Sequence, residues 1–112
     1  MSTVQFSIIQ VNGVAATGMA VPVPSSSMVG DAEVITSDGT SAQLETLDAT
    51  DLDTTRLDQY FWRVAVVGTD NVYVAFGANP TATSTSGFLC PAGGVYEFRI
   101  NAGTDIAAVI NA

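Results

Sequence analysis

The stretch "YFWRVAVVGTDNVYVAFG", residues 60–77, limits the fold more than any other part of the chain. In an extended backbone Tyr60, Trp62, Val64 and Val66 fall on one face, and Val72, Val74 and Phe76 share a face in the following run. β-Branched and aromatic residues fill both runs, and Gly68-Thr69-Asp70-Asn71 separates them. Alternation with turn chemistry between predicts a hairpin. A helical domain is excluded by the same test: outside residues 46–58, no segment keeps a 3.6-residue period over three turns.

The rest of the chain follows the same rule. "VQFSIIQV" (4–11) alternates Val4, Phe6 and Ile8 against Gln5 and Ser7, and Asn12-Gly13 supplies a turn pair tolerant of positive φ. "GMAVPVP" (18–24) carries Pro22 and Pro24, which cannot donate ladder hydrogen bonds. Residues 1–30 therefore include an edge strand or extended arm. "SSSMVGD" reads as a loop. "AEVIT" and "TSAQLETL", split by Ser37-Asp38-Gly39, read as a short hairpin. "LDATDLDTTRLDQ" could make a helical turn, but its Asp and Thr content suits an irregular surface loop. Residues 77–87 form a long polar loop. "FLCPAGG" is a short strand entering a turn, "VYEFRINA" places Tyr96, Phe98 and Ile100 on one face, Ala102-Gly103 turns, and "TDIAAVI" ends the chain. Short strands at roughly 8- to 12-residue spacing predict an all-β fold, an antiparallel β-sandwich or jelly roll, in a single domain over residues 1–112.

Charge and chemistry narrow the function. With 47% apolar and 12% charged residues the chain is a folding sequence, long enough to bury roughly two-thirds of its unfolded surface. Three arginines (Arg56, Arg63, Arg99) face eleven acids, for a net charge of −8. Nucleic acid is not an expected partner, because phosphate backbones repel such a chain. Neither a basic leader nor an apolar run of about 18 residues is visible, so a soluble protein made in a cell is expected, with no membrane contact. One cysteine, Cys90, permits no intrachain disulfide and reads as a small buried hydrophobe.

Histidine and lysine are both absent. That removes the usual base for Ser or Cys nucleophiles, Schiff-base chemistry and the phosphate-binding lysine. Eight acids crowd into residues 31–58, but none in an apolar context that would raise its pKa. Asp48-x-x-Asp51-x-Asp53 lacks the ligand order, central glycine and closing glutamate of a calcium loop, and reads as a solvated acidic loop. No enzyme activity, cofactor or metal is expected. Trp62 reads as core, with a sugar-stacking platform as the other reading. Arg63 and Arg99 read as ion-pair partners of Glu97 or Asp58, or as contacts between subunits. By elimination the expected role is binding another protein through loops and strand edges. Contact candidates are Pro22, Pro24, Arg63, Asn79, Pro80, Phe88 and Arg99.

The segment "VYVAFGANPTATSTSGFLCPAGGVYEFRINAGTDIAAVI", preceded by "WRVAVVGTDN", resembles the C-terminal half of small structural proteins of tailed bacteriophages, most like head decoration (cement) proteins. The resemblance spans residues 60–112; residues 1–59 lie outside it. It implies a virion component assembled in the host cytoplasm, with the major capsid protein as partner and a homo-oligomer, a trimer, as the working form. It transfers no catalytic residues. The charge of −8 adds that the outer capsid surface suits this chain better than the phosphate-rich interior. A tail, neck or fibre-base component and a carbohydrate- or host-binding sandwich are the alternatives.

Overall fold

Alternation of apolar and polar residues becomes strand throughout the computed structural model, which describes residues 1–11, 24–50, 52, 60–101 and 106–112. Nine strands follow one another: β1 (Ser2–Val11), β2 (Pro24–Met28), β3 (Glu33–Thr36), β4 (Ala42–Gln43), β5 (Tyr60–Gly68), β6 (Val72–Gly77), β7 (Phe88–Cys90), β8 (Val95–Arg99) and β9 (Ile106–Asn111). No helix occurs among the described residues. All strand pairs are antiparallel, and they form two sheets. The first runs β2-β1-β5-β8, with β3 also on β1; the second runs β4-β9-β6-β7. β1 gives one edge to β5 along nearly its whole length and divides the other between β3, at Thr3 to Phe6, and β2, at Ile9 and Val11.

The core lies between the sheets. Val4, Phe6 and Ile8 of β1, Trp62, Val64 and Val66 of β5, Val72 and Val74 of β6, and Ala107 and Val109 of β9 are all buried in one cluster, together with Cys90 and Ile100. Period two put these residues on common inward faces, and two such faces packed together make the sandwich. Trp62 is fully buried, and its ring lies 5.8 Å from that of Phe76 on the opposite sheet. The outer face of the second sheet is covered locally: Ala82 packs on Ala75 and Ala108, with Ile110 beside them.

Three expectations of strand pairing are corrected. Residues 60–77 do not form a hairpin, since β5 belongs to the first sheet and β6 to the second. Both edges of β5 are already taken, by β1 and β8. The intervening turn is anchored to the start of β1 instead: Ser2 Oγ donates to the Asp70 carbonyl (2.7 Å) and accepts from the Asp70 amide (3.0 Å). Likewise β3 and β4 are not a hairpin; β3 pairs with β1 and β4 with β9. Finally, the segment around "SSSM" is strand rather than loop, because β2 adds to the end of β1. The turns expected at Asn12-Gly13 and Ala102-Gly103, and most of residues 51–59, lie outside the described residues.

Candidate functional site

Among the strands paired on one side only, β7 and β8 lie next to one another in the chain. β7 pairs only with β6, and β8 only with β5, so each forms the edge of its sheet. They are consecutive in the chain, joined by residues 91–94, so both open edges fall on the same flank of the sandwich. The crossing is fixed by Gly93 donating to the Val66 carbonyl (2.8 Å), Val66 donating to that of Gly94 (3.0 Å) and Tyr96 Oη donating to that of Pro91 (2.7 Å). Gly93 has φ of +86°, a conformation glycine adopts without a Cβ penalty.

Aromatic side chains fill the seam between the edges. Phe88 faces inward, opposite Val74 in the register, yet has no strand beyond it and remains 58% exposed. Its ring centre is 5.1 Å from that of Phe98 on β8, which is 5.1 Å from that of Phe76. A series of rings thus runs from buried Trp62 through Phe76 and Phe98 to exposed Phe88. Beside it opens a cleft of about 340 Å³ lined by Phe76, Ser86, Phe88, Phe98, Arg99 and Asn101. Leu89 and Val95 add exposed apolar surface on the same strands, at 53% and 58%.

The structure distributes the candidate contact residues unequally. Phe88 and Arg99 meet at this cleft. Arg99 is exposed and has no ion pair among the described residues. Arg63 lies opposite Glu97 in the register and bonds to its carboxylate at 3.3 Å. Both partners are half-exposed, so the pair contributes at most about 1 kcal/mol. Asn79 and Pro80 are turned to another use: Gln43 Nε2 donates to Asn79 Oδ1 (2.8 Å) and to the Pro80 carbonyl (2.7 Å), and Pro80 is buried. The Ala82 amide donates to Ser41 Oγ (2.9 Å), so the first half of the 77–87 loop is fastened to the β4 region. Its tip holds itself together, with Thr83 Oγ1 and Ser86 Oγ 2.7 Å apart and Ser86 Oγ donating to the Thr81 carbonyl (2.9 Å). Pro24 opens β2 opposite Val11, whereas Pro22 and Asp58 lie outside the described residues. Leu89 and Val95 were missed at the sequence level, although alternation signals them: they occupy outward positions, between inward Phe88 and Cys90 and before inward Tyr96.

The flank offers shape and apolar contact more than chemistry. Among the described residues no group of three or more Cys, Asp or Glu side chains could hold a metal ion. Cys90 is buried, and that burial pushes its thiol up to about 11, far from a thiolate at neutral pH. Trp62, in the core, cannot serve as a sugar platform. No family model matches the chain, and neither does any curated protein or solved structure.

Proposed function

We propose that this chain is a structural protein of a tailed-bacteriophage particle, decorating the outer capsid surface and stabilising the shell by contact with the major capsid protein, as a homo-oligomer, preferably a trimer. The observation that carries the reading is the flank formed by β7 and β8. It joins two open strand edges to three exposed apolar side chains, Phe88, Leu89 and Val95. Exposed edges invite association, and large apolar side chains left exposed along such edges suit a contact site. The resemblance of residues 60–112 to phage structural proteins supplies the identity of the partner, and the absence of histidine and lysine from the sequence leaves little for catalysis. A decorator that binds only the assembled shell stabilises it by mass action, and several copies meeting several capsomers multiply weak contacts.

The test mixes the purified protein with undecorated heads of its phage. Stoichiometric co-sedimentation and a higher disruption temperature of the decorated shell are expected. Failure to sediment with heads, with sedimentation on tails instead, would refute the capsid assignment.

A further inference from the structure

Resting on the reading of the β7–β8 flank as a protein contact, we propose that the outer edge of β8 accepts an extended segment of another protein as an added antiparallel strand. An apolar side chain of that segment fills the Phe76–Phe88–Phe98 cleft, and an adjacent carboxylate meets Arg99.

The backbone comes first. Ile100 donates to the Tyr60 carbonyl (3.4 Å) and Val66 donates to that of Gly94 (3.0 Å), which fixes the phase of the β5–β8 ladder. In an antiparallel pair, hydrogen-bonded positions alternate with open ones. Tyr96 and Phe98 therefore spend their amides and carbonyls on β5, while Val95, Glu97 and Arg99 direct theirs away from the sheet. No other partner for these outward groups exists among the described residues. Three consecutive open positions are a template for one short strand.

The side chains then set what that strand carries. A residue opposite Phe98 projects to the inner side, where the ring and the cleft lie, and an apolar group there would cover Phe88 and Phe98. Its neighbour, opposite Arg99, projects to the outer face. Arg99 is the one charged residue lining the cleft and has no ion pair among the described residues, so a carboxylate complements it. Glu97 is already paired with Arg63, so the position opposite it suits a neutral hydroxyl side chain. Because the added strand is antiparallel, the recognised pattern is an acid followed directly by an apolar residue.

A second copy of this chain fits the edge badly. Two β8 strands related by a two-fold axis at Glu97 would set Glu97 directly against Glu97, whereas an axis at Phe98 would set Glu97, already engaged by Arg63, against Arg99; in either register both molecules carry −8. Like charges directly opposite destabilise a strand pair. A different chain avoids the repulsion between two molecules of −8 and leaves Arg99 to a carboxylate that has no other partner.

The probe is a fluorescently labelled ten-residue peptide with a central Glu-Phe pair amid alternating Thr and Val, compared with a scrambled peptide that separates the pair. Anisotropy with the full-length protein should show binding of the first peptide and at least about tenfold weaker binding of the second. Arg99→Glu should weaken binding about tenfold and restore it toward a Lys-Phe peptide, a swap that a misfolded variant could not produce. Glu97→Pro, which removes an outward amide and the half-exposed pair with Arg63 but no β5–β8 ladder bond, should abolish binding while the thermal melt stays cooperative. Equal binding of both peptides, indifference to Glu97→Pro, or dimerisation through this edge in sedimentation would each overturn the proposal. Lack of peptide binding by a protein that still sediments with heads would end this inference and leave the capsid reading standing.

Discussion

Glu33 shows how one side chain can tie the two sheets together. It stands on β3 in the first sheet, and its carboxylate accepts from the amides of Glu45 (2.7 Å), Thr46 (2.8 Å) and Leu47 (2.8 Å) and from Thr46 Oγ1 (3.0 Å). Those donors follow β4, which belongs to the second sheet. Burial pulls the Glu33 carboxyl upward, but the hydrogen bonds together outweigh it and hold the group below its ordinary 4.5. A carboxyl lowered by folding stabilises the folded state fully above the unfolded pKa, and that contribution is lost as pH falls through the folded value. Glu33→Gln, which keeps one acceptor oxygen but loses the charge at a largely solvent-screened site, should therefore cost about 0.5–1.5 kcal/mol at pH 7 in urea unfolding. The gap between wild type and variant should shrink as pH falls below about 4.5; a gap independent of pH would show that the charge is not what holds the loop. Cys90 makes the opposite test. A buried thiol raised to about 11 should react with a disulfide reagent only at the rate of unfolding. Rapid labelling of the native protein would contradict its place in the core.

At the scale of elements, the turn after β5 decides whether the chain makes one sheet or two. Gly68 has φ of +141°, and a Cβ there would lie 2.8 Å from both Ser2 Cα and Ser2 Oγ. Gly68→Ala should thus destabilise by more than the roughly 1 kcal/mol of an ordinary glycine change, because backbone of β1 blocks the space. Gly39→Ala, with nothing within 4 Å of the added carbon, is the control and should be near neutral. Equal midpoints for the two variants in thermal unfolding would count against a close approach at Ser2. The same turn shows what the chain discloses of itself. Inward faces such as Val4-Phe6-Ile8 and Trp62-Val64-Val66 are visible in the alternation, since period two depends only on which side is buried. Which sheet each strand joins is not visible, because both inner faces of a sandwich carry the same pattern. β2, "PSSSM", has no alternation to detect and owes its existence to the free edge of β1. Phe88 and Arg99 were recognisable as residue types suited to contact. Their meeting was not, since it depends on β7 and β8 ending their sheets on one flank.

For the molecule as a whole, the placement of the last strand governs stability. β9 lies inside the second sheet, between β4 and β6, and contributes Ala107 and Val109 to the core. Its backbone also closes the structure: Leu44 donates to the Ala107 carbonyl (2.9 Å) and Asn111 to that of Asp38 (2.8 Å). In the first sheet β1, from the opposite end of the sequence, is likewise interior, with β5 on one side and β2 and β3 on the other. A fold in which the first and last strands are each interior to a sheet cannot complete either sheet from local contacts, so closure of long loops precedes most of the stabilising burial. Folding should be slow for a chain of this size and cooperative over its full length. Removal of residues 106–112 leaves β4 without a partner and bares one side of β6. An edge strand such as β8 differs, because its outer side already faces solvent and a proline there spares the ladder. The truncated chain should therefore lose its cooperative thermal transition and its dispersed amide resonances, while Glu97→Pro keeps both. A truncated protein that still melts in one sharp step would mean that the first sheet folds alone, and the two sheets would then have to be treated as separate units.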